Sequence, residues 1–160
     1  MPRRSRIMII DQNADDIRLL TAAFERARWM VEADIVNEGQ LALAALQRNH
    51  DCSKPTDLVM VSSIPDGESC LQTLRSIKSH PDFRYLPVIV FSSARPPRDL
   101  AHACSLLGAL KFIQIPGDLP HWILLQMRVT ERFPWEGQRS AIPENPGHYA
   151  DINSGRRLIV

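Results

Sequence analysis

Features that would assign a function directly are scarce in this chain of 160 residues. The net charge is only +1, so no strong overall field favours binding to nucleic acid or to a membrane surface. No apolar run approaches the ~20 residues that cross a bilayer, and no charged-then-apolar signal segment precedes the first apolar run. We therefore expect a cytoplasmic protein with neither a nucleic acid nor a membrane as its partner.

Cysteine is rare, with only three residues, Cys52, Cys70 and Cys104, and no Cys-x-x-Cys pair. Cys70 and Cys104 fall on the apolar faces of predicted helices, where a cysteine usually serves as a small buried hydrophobe. Because no base is evident beside either thiol, the sequence does not predict redox or catalytic use.

The motifs of common α/β enzymes are also missing. No glycine-rich phosphate loop follows the first predicted strand, and no Gly-x-Ser-x-Gly elbow surrounds Ser62. Three histidines, His80, His102 and His121, lie in different predicted elements without the spacing of metal ligands. These absences argue against a nucleotide-binding enzyme, a serine hydrolase and a histidine metal centre.

What the chain does contain is a fivefold alternation of strand and helix patterns. Short apolar runs typical of buried parallel strands occur at residues 7–10, 57–61, 88–91 and 111–115, with a more polar one at 31–36. Apolar residues at helical spacing predict five helices. They are one that follows Asn13, one at 40–48 with Asn37 as its cap, one at 68–79, one that ends at Gly108 and one at 120–132. The alternation predicts an α/β fold, a flavodoxin-like (βα)5 sheet of parallel strands in the order 2-1-3-4-5, with the second strand at an edge.

The composition changes near the end of the fifth predicted helix. From Phe133 onward, proline and glycine punctuate a polar stretch. We expect a domain at residues 1–133 and an irregular extension at 134–160, mobile unless it docks. Its apolar end, Arg157 to Val160, is suited to packing on a groove or a sheet edge of a partner.

Ligand sites in such sheets lie outside the carboxyl ends of the strands, near the point where the strand order reverses. The residues at those ends are Asp11 and Gln12 after the first strand, Ser62 after the third, Ser92 after the fourth and Ile115 at the fifth. These five residues are the candidate site.

Two long stretches carry a family resemblance. The segments TDLVMVSSIPDGESCLQTLRSIK and HPDFRYLPVIVFSS resemble the middle of a response-regulator receiver domain. The resemblance covers roughly residues 5 to 133 and is greatest with the stand-alone receivers that serve bacterial and cyanobacterial phytochromes. It implies the CheY-like fold and a place in phosphorelay signal transduction.

The resemblance also implies roles for the site residues. In receivers, two acidic groups after the first strand and an aspartate after the third hold Mg²⁺, and that aspartate takes a phosphoryl group from a histidine kinase. A hydroxyl and a lysine then bind the phosphoryl oxygens. Here Asp11 retains the first acidic position and Ser92 the hydroxyl, whereas Gln12, Ser62 and Ile115 replace the second acid, the acceptor and the lysine.

We therefore expect a pseudo-receiver that acts by protein–protein contact, without enzymatic activity and without a cofactor. Mg²⁺ binding should be lost or weak, and the Gln12, Ser62 and Ser92 side chains are expected to bond one another. Three alternatives stay open: an altered pocket that binds another small ligand, a phosphorelay that uses Asp11 or a hydroxyl as acceptor, and a small hydrolase on the same fold.

The resemblance further implies two protein-binding surfaces. The first helix is the face that receivers offer to a sensor histidine kinase. The face formed by the fourth helix, fifth strand and fifth helix is the usual surface for homodimers, and Phe112 takes the position of the switch aromatic. The residues expected on these surfaces are Asp15, Ile17, Arg18 and Ala22 on the first, and Arg98, His102, Lys111 and Trp122 on the second.

Overall fold

Five parallel strands form one sheet in the computed structural model, which describes residues 4–64 and 66–124. Their order is β2-β1-β3-β4-β5, which confirms the flavodoxin-like topology predicted from the sequence. The strands are β1 (Ser5–Ile10), β2 (Val31–Val36), β3 (Leu58–Ser62), β4 (Val88–Ser92) and β5 (Lys111–Gln114).

Helices connect successive strands and cover both faces of the sheet. They are α1 (Ala14–Arg26), α2 (Ala42–Asp51), α3 (Gly67–Ser79) and α4 (Arg98–Leu106), and residues 119–124 begin a fifth, α5. No helix in the described part of the chain has the length and apolar character needed to cross a membrane. The predicted course of α5 to residue 132, the boundary at residues 133 and 134, and the Arg157–Val160 segment lie outside the described residues.

Alternating side chains of the strands build two apolar layers, because successive residues of a strand point to opposite faces. Every residue of β3 and β4 is buried, whereas β2 is largely exposed, as predicted for an edge strand. One layer packs on α2, α3 and α4 and contains Met8, Ile10, Val59, Val61, Val90, Leu74 and Ile77. The other packs on α1 and α5 and contains Ile7, Ile9, Met60, Phe91, Leu20, Phe24 and Trp122.

The burial of Trp122 corrects one prediction. Trp122 was expected on an exposed docking surface, but its side chain is only 2% exposed. Its ring packs edge-on against Trp29 with the ring centroids 6.0 Å apart. The large apolar area of an indole stabilises the core when it is buried, and Trp122 therefore belongs to the interior.

The start of α2 corrects a second prediction. Asn37 does not cap a helix; a short 3-10 turn, Gly39–Leu41, precedes α2, and neither it nor α2 has a side-chain cap. Gly39 brings this turn against α3, where a Cβ atom on residue 39 would lie 1.8 Å from Thr73 Oγ1. The close approach requires glycine and sets one wall of the region beside β1.

Candidate functional site

The ends of β1 and β3 bring three of the five candidate residues to one cavity. In the parallel register Ile10 pairs with Val61, so the next residues, Asp11 and Ser62, emerge side by side. Asp11, Gln12 and Ser62 line a cavity of about 90 Å³ together with Asn37, Asp66 and Ser69. The site predicted from the strand ends is thus assembled in part.

The other two candidates lie elsewhere. Neither Ser92 nor Ile115 is among the described residues that line this cavity. Ser92 is 2% exposed and its hydroxyl accepts a hydrogen bond from Ala94 N at 3.2 Å. Ile115 is fully buried in the α1–α5 layer, and it precedes a cis peptide bond to Pro116. Ile115 contributes an apolar core contact, not a polar group, to this end of the sheet.

The hydroxyls of the site bond to their own loops. Ser62 Oγ donates to the carbonyl oxygen of Ile64 at 3.3 Å and lies 3.2 Å from its amide nitrogen, which donates to it. The expectation that Gln12, Ser62 and Ser92 bond one another is therefore wrong. A serine side chain is short, and the backbone two residues on is nearer than a side chain on another strand.

Asp11 is the buried charge of the site. Its carboxylate accepts from Asn13 N at 3.0 Å through Oδ1, whereas Oδ2 is buried without a hydrogen-bond partner among the described residues. Burial raises the pKa of Asp11, and the negative charge of Asp16 acts in the same direction. The amides of Asn13 and Gln12 and the Ser62 hydroxyl oppose this rise in the pKa. The free oxygen is a site for a proton or a cation.

Asp16 is a site residue that the sequence analysis missed. It is buried in the first turn of α1, and its Oδ2 accepts a hydrogen bond from Ser93 Oγ at 3.3 Å, which ties α1 to the loop after β4. A signal was present, since Asp16 precedes the core residue Leu20 by one helical turn and so shares its inward face.

Asp66 was also missed as a wall of the cavity. It caps α3, accepting from Glu68 N and from the Ser69 hydroxyl, each at 3.0 Å. The Glu68 amide, followed by the Ser69 hydroxyl, lowers the pKa of Asp66. Because its oxygens are engaged in the cap, Asp66 stabilises the helix start and is poorly placed to serve as a metal ligand.

The donor set does not fit a magnesium ion. Asp11, Gln12 and Ser62 offer one carboxylate, one amide and one hydroxyl, whereas Mg²⁺ prefers carboxylate oxygens in octahedral geometry. Across the described residues, no group of three or more His, Cys, Asp or Glu side chains is arranged to hold a metal ion.

A larger polar cleft adjoins the cavity. It has a volume of about 380 Å³ and lies between the 3-10 turn and α3, lined by Gln12, Gln40, Ser69, Gln72 and Ser76 among others. Among the described residues that line the cavity and the cleft there is no histidine. The Ser62 hydroxyl thus lacks, in this part of the chain, the base that a serine hydrolase requires.

Phe112 lies on β5, an edge strand, and does not line the cavity between β1 and β3. On β5 it pairs with Val90, and its half-buried ring packs on the α2–α3–α4 layer. It lines a cavity of about 260 Å³ between α4 and β5, together with Cys104 and Lys111. Phe112 therefore packs on the core and also borders the cavity between α4 and β5.

Comparison with solved structures identifies the class of fold. The Mn²⁺-bound form of response regulator Rcp1 superposes with a TM-score of 0.61 and 22% identity, over 79% of this chain and 92% of that one. The phosphorylated cyanobacterial phytochrome response regulator RcpA gives a TM-score of 0.62 and 23% identity, over 81% and 93%. Response regulator RPA3017, from red light signaling of R. palustris, gives a TM-score of 0.66 and 17% identity, over 78% of this chain and 92% of that one.

The chain therefore has the fold of response-regulator receiver domains, as its sequence resemblance implies. Regulators that serve phytochromes or red light signaling are among the structures with this fold. No protein-family model and no curated protein sequence matches the chain.

Proposed function

We propose that this chain is a pseudo-receiver of a bacterial two-component pathway, which acts in the cytoplasm by protein–protein contact and without phosphorylation of an aspartate. The observation that carries the proposal is the end of β3, where Ser62 stands beside Asp11 and closes a turn with Ile64. A receiver needs a carboxylate nucleophile at that point.

The chemistry of the site supports the proposal. An acyl phosphate forms only on a carboxylate, and a serine hydroxyl needs a base to become a nucleophile. Phosphoryl transfer also needs positive charge near the oxygens of the moving group. At the end of β5 the chain offers Ile115, an apolar and fully buried side chain.

Two exposed faces supply the contacts on which this function depends. On α1, Asp15 and Arg18 are solvent-exposed and form an ion pair at 3.4 Å, which suits a polar interface with a sensor histidine kinase or another signalling protein. On α4, Arg98 and His102 are exposed, and Leu106 is 73% exposed, which suits self-association of two copies.

A phosphorelay that uses Asp11 as acceptor is the second candidate. The observation that favours it is the unpartnered Oδ2 atom of Asp11 beside the small cavity. It is disfavoured because Asp11 is only 3% exposed and has the negative charge of Asp16 as a neighbour, which would repel an incoming phosphate.

Constitutive behaviour follows from the proposed function and can be measured. A ligand shifts a conformational equilibrium only if it binds the two states differently, and beryllofluoride needs an acceptor aspartate with Mg²⁺. Amide hydrogen exchange in α4 and β5, and affinity for the sensor kinase, should be the same with and without beryllofluoride and Mg²⁺. A receiver with an intact acceptor aspartate is the positive control. A severalfold change in this chain would contradict the proposal.

A further inference from the structure

Helices α3 and α4 approach each other near both of their ends. A Cβ atom on Gly67 at the start of α3 would lie 3.0 Å from Leu100 Cδ2 in the first turn of α4. A Cβ on Gly108, just after α4, would lie 3.5 Å from the Lys78 side chain near the end of α3. The two helices therefore run side by side in the same direction.

Cys70 and Cys104 occupy the middle of this contact. Each lies about one helical turn beyond the first contact, Cys70 after Gly67 and Cys104 after Leu100. Both are buried in the same apolar layer, with exposures of 2% and 0%. Both are free thiols, and they lie close enough for each to shift the pKa of the other.

The proximity of the two thiols gives them different pKa values. The Cys70 thiol stabilises the Cys104 thiolate, which lowers the pKa of Cys104, while the same contact and burial raise the pKa of Cys70. A thiolate is the nucleophilic form of cysteine, and a neighbouring thiol is what resolves its first oxidation product. Cys104, which also lines the larger of the two cavities that border the pair, is thus the attacking residue and Cys70 the resolving one.

Each of the two cysteines borders a cavity. Cys104 lines the cavity of about 260 Å³ between α4 and β5. Cys70 lines the cavity of about 90 Å³ beside Asp11. A molecule the size of hydrogen peroxide therefore has space next to the pair, although neither side chain lies on the surface.

We propose that Cys70 and Cys104 form a redox-active pair, which a hydroperoxide converts into a disulfide that links α3 to α4. The Cys104 thiolate attacks one oxygen of the O–O bond, which breaks and gives the sulfenic acid of Cys104 and hydroxide. The hydroxide takes up the proton that Cys104 released and leaves as water. Cys70 then attacks the sulfenic sulfur, the S–O bond breaks, and the second water leaves with the Cys70 proton. Two thiols lose two electrons and one peroxide gains them.

This inference goes beyond the proposed function and does not rest on it. The disulfide would fix α4 against α3 beside the cavity that Phe112 lines. It would thereby restrict movement of the face that carries Arg98 and His102, the face proposed for self-association.

The test is oxidation of the full, reduced chain with hydrogen peroxide, followed by alkylation of the remaining thiols, intact mass and peptide mapping. The expected result is a monomer in which the two thiols escape alkylation, with a loss of about 2 Da for the two hydrogens and a cross-linked peptide that joins Cys70 to Cys104. Because this readout uses the unaltered chain, it does not depend on the folding of a variant.

Two variants sharpen the result. Cys52→Ala removes the exposed thiol and should leave the cross-link unchanged. Cys104→Ala should abolish it, and Cys70 should then be alkylated once the chain is denatured. An unchanged mass, a gain of oxygen on Cys104 without a cross-link, or a cross-link that contains Cys52 would overturn the proposal.

Discussion

Asp11 and Ser62 emerge side by side from β1 and β3 and line one cavity, a buried carboxylate next to a hydroxyl. The carboxylate retains an unpartnered oxygen, Oδ2, while the hydroxyl is engaged with Ile64. In a receiver the corresponding pair would be two carboxylates that share a cation. The site thus retains one negative charge without the partners that would make it useful for phosphoryl transfer.

Magnesium binding should be weak for this reason. We expect the chain to bind Mg²⁺ no more tightly than about 1 mM, since Asp11 is the one free carboxylate among the predicted site residues. Titration by calorimetry or tryptophan fluorescence should show little change. The double variant Gln12→Asp with Ser62→Asp should bind measurably, and adding Asp11→Asn to it should remove that binding. If the double variant does not bind Mg²⁺, the geometry of the site differs from that of a receiver.

The buried charge of Asp11 should reduce stability at neutral pH. Burial raises its pKa, so the folded state prefers the protonated form, and the free energy of unfolding falls as the pH rises from 3.8 through the raised pKa. Asp11→Asn removes the charge and keeps an oxygen for the Asn13 amide. We expect a gain on the order of 1 kcal/mol at pH 7, measured by urea unfolding.

The matched control for this substitution is Asp15→Asn, which changes an exposed carboxylate in the first turn of α1, four residues after Asp11. Its effect should stay within about 0.5 kcal/mol, as is usual for exposed ion pairs. A clear loss of stability in Asp11→Asn would mean that the carboxylate has a favourable partner, and the account of the site would need revision.

Lys78 should give the chain a pH dependence on the alkaline side. Its ammonium donates to the carbonyls of Arg84 at 3.3 Å and Leu86 at 2.8 Å, and burial lowers its pKa from 10.5 to about 8. Below pH 8 Lys78 is charged in the folded state although it is largely removed from water. Its full unfavourable contribution to the free energy of unfolding is therefore present there. The free energy of unfolding should therefore rise between pH 8 and 10.5, where the unfolded chain binds more protons.

The rise is best isolated by comparing the chain with Lys78→Met across that range, because other groups titrate there too. The difference in the free energy of unfolding between the two proteins should shift with pH in favour of the unaltered chain. Parallel curves would show that the pKa of Lys78 is not lowered in the folded state.

The fold was predictable because its signals are local. Val31–Val36 was placed at its observed bounds from a polar-apolar pattern typical of an edge strand. Gly108 ends α4 with φ of +95°, a conformation that glycine adopts without strain and other residues rarely do. Runs of buried residues in β3 and β4 determined which strands lie at the centre of the sheet.

The details of the site were less predictable because they depend on which neighbour is nearest. The sequence places Ser62 and Ser92 at strand ends. Whether each hydroxyl bonds to another side chain or to the nearby backbone depends on distances in the folded chain. The contact of Cys70 with Cys104 depends in the same way on how closely α3 approaches α4. Trp122 was misplaced because the resemblance assigns α5 as a whole to the docking surface, whereas packing against Trp29 buries this one side chain.

Labelling with a phosphodonor shows whether this site takes up a phosphoryl group. The chain should be incubated with labelled acetyl phosphate and Mg²⁺, and separately with a phosphorylated sensor kinase, beside a receiver that retains its acceptor aspartate. The control receiver should take up the labelled phosphoryl group, and this chain should not. A base-labile adduct on Asp11, or any phosphoryl group mapped to Ser62 or Ser92, would contradict it.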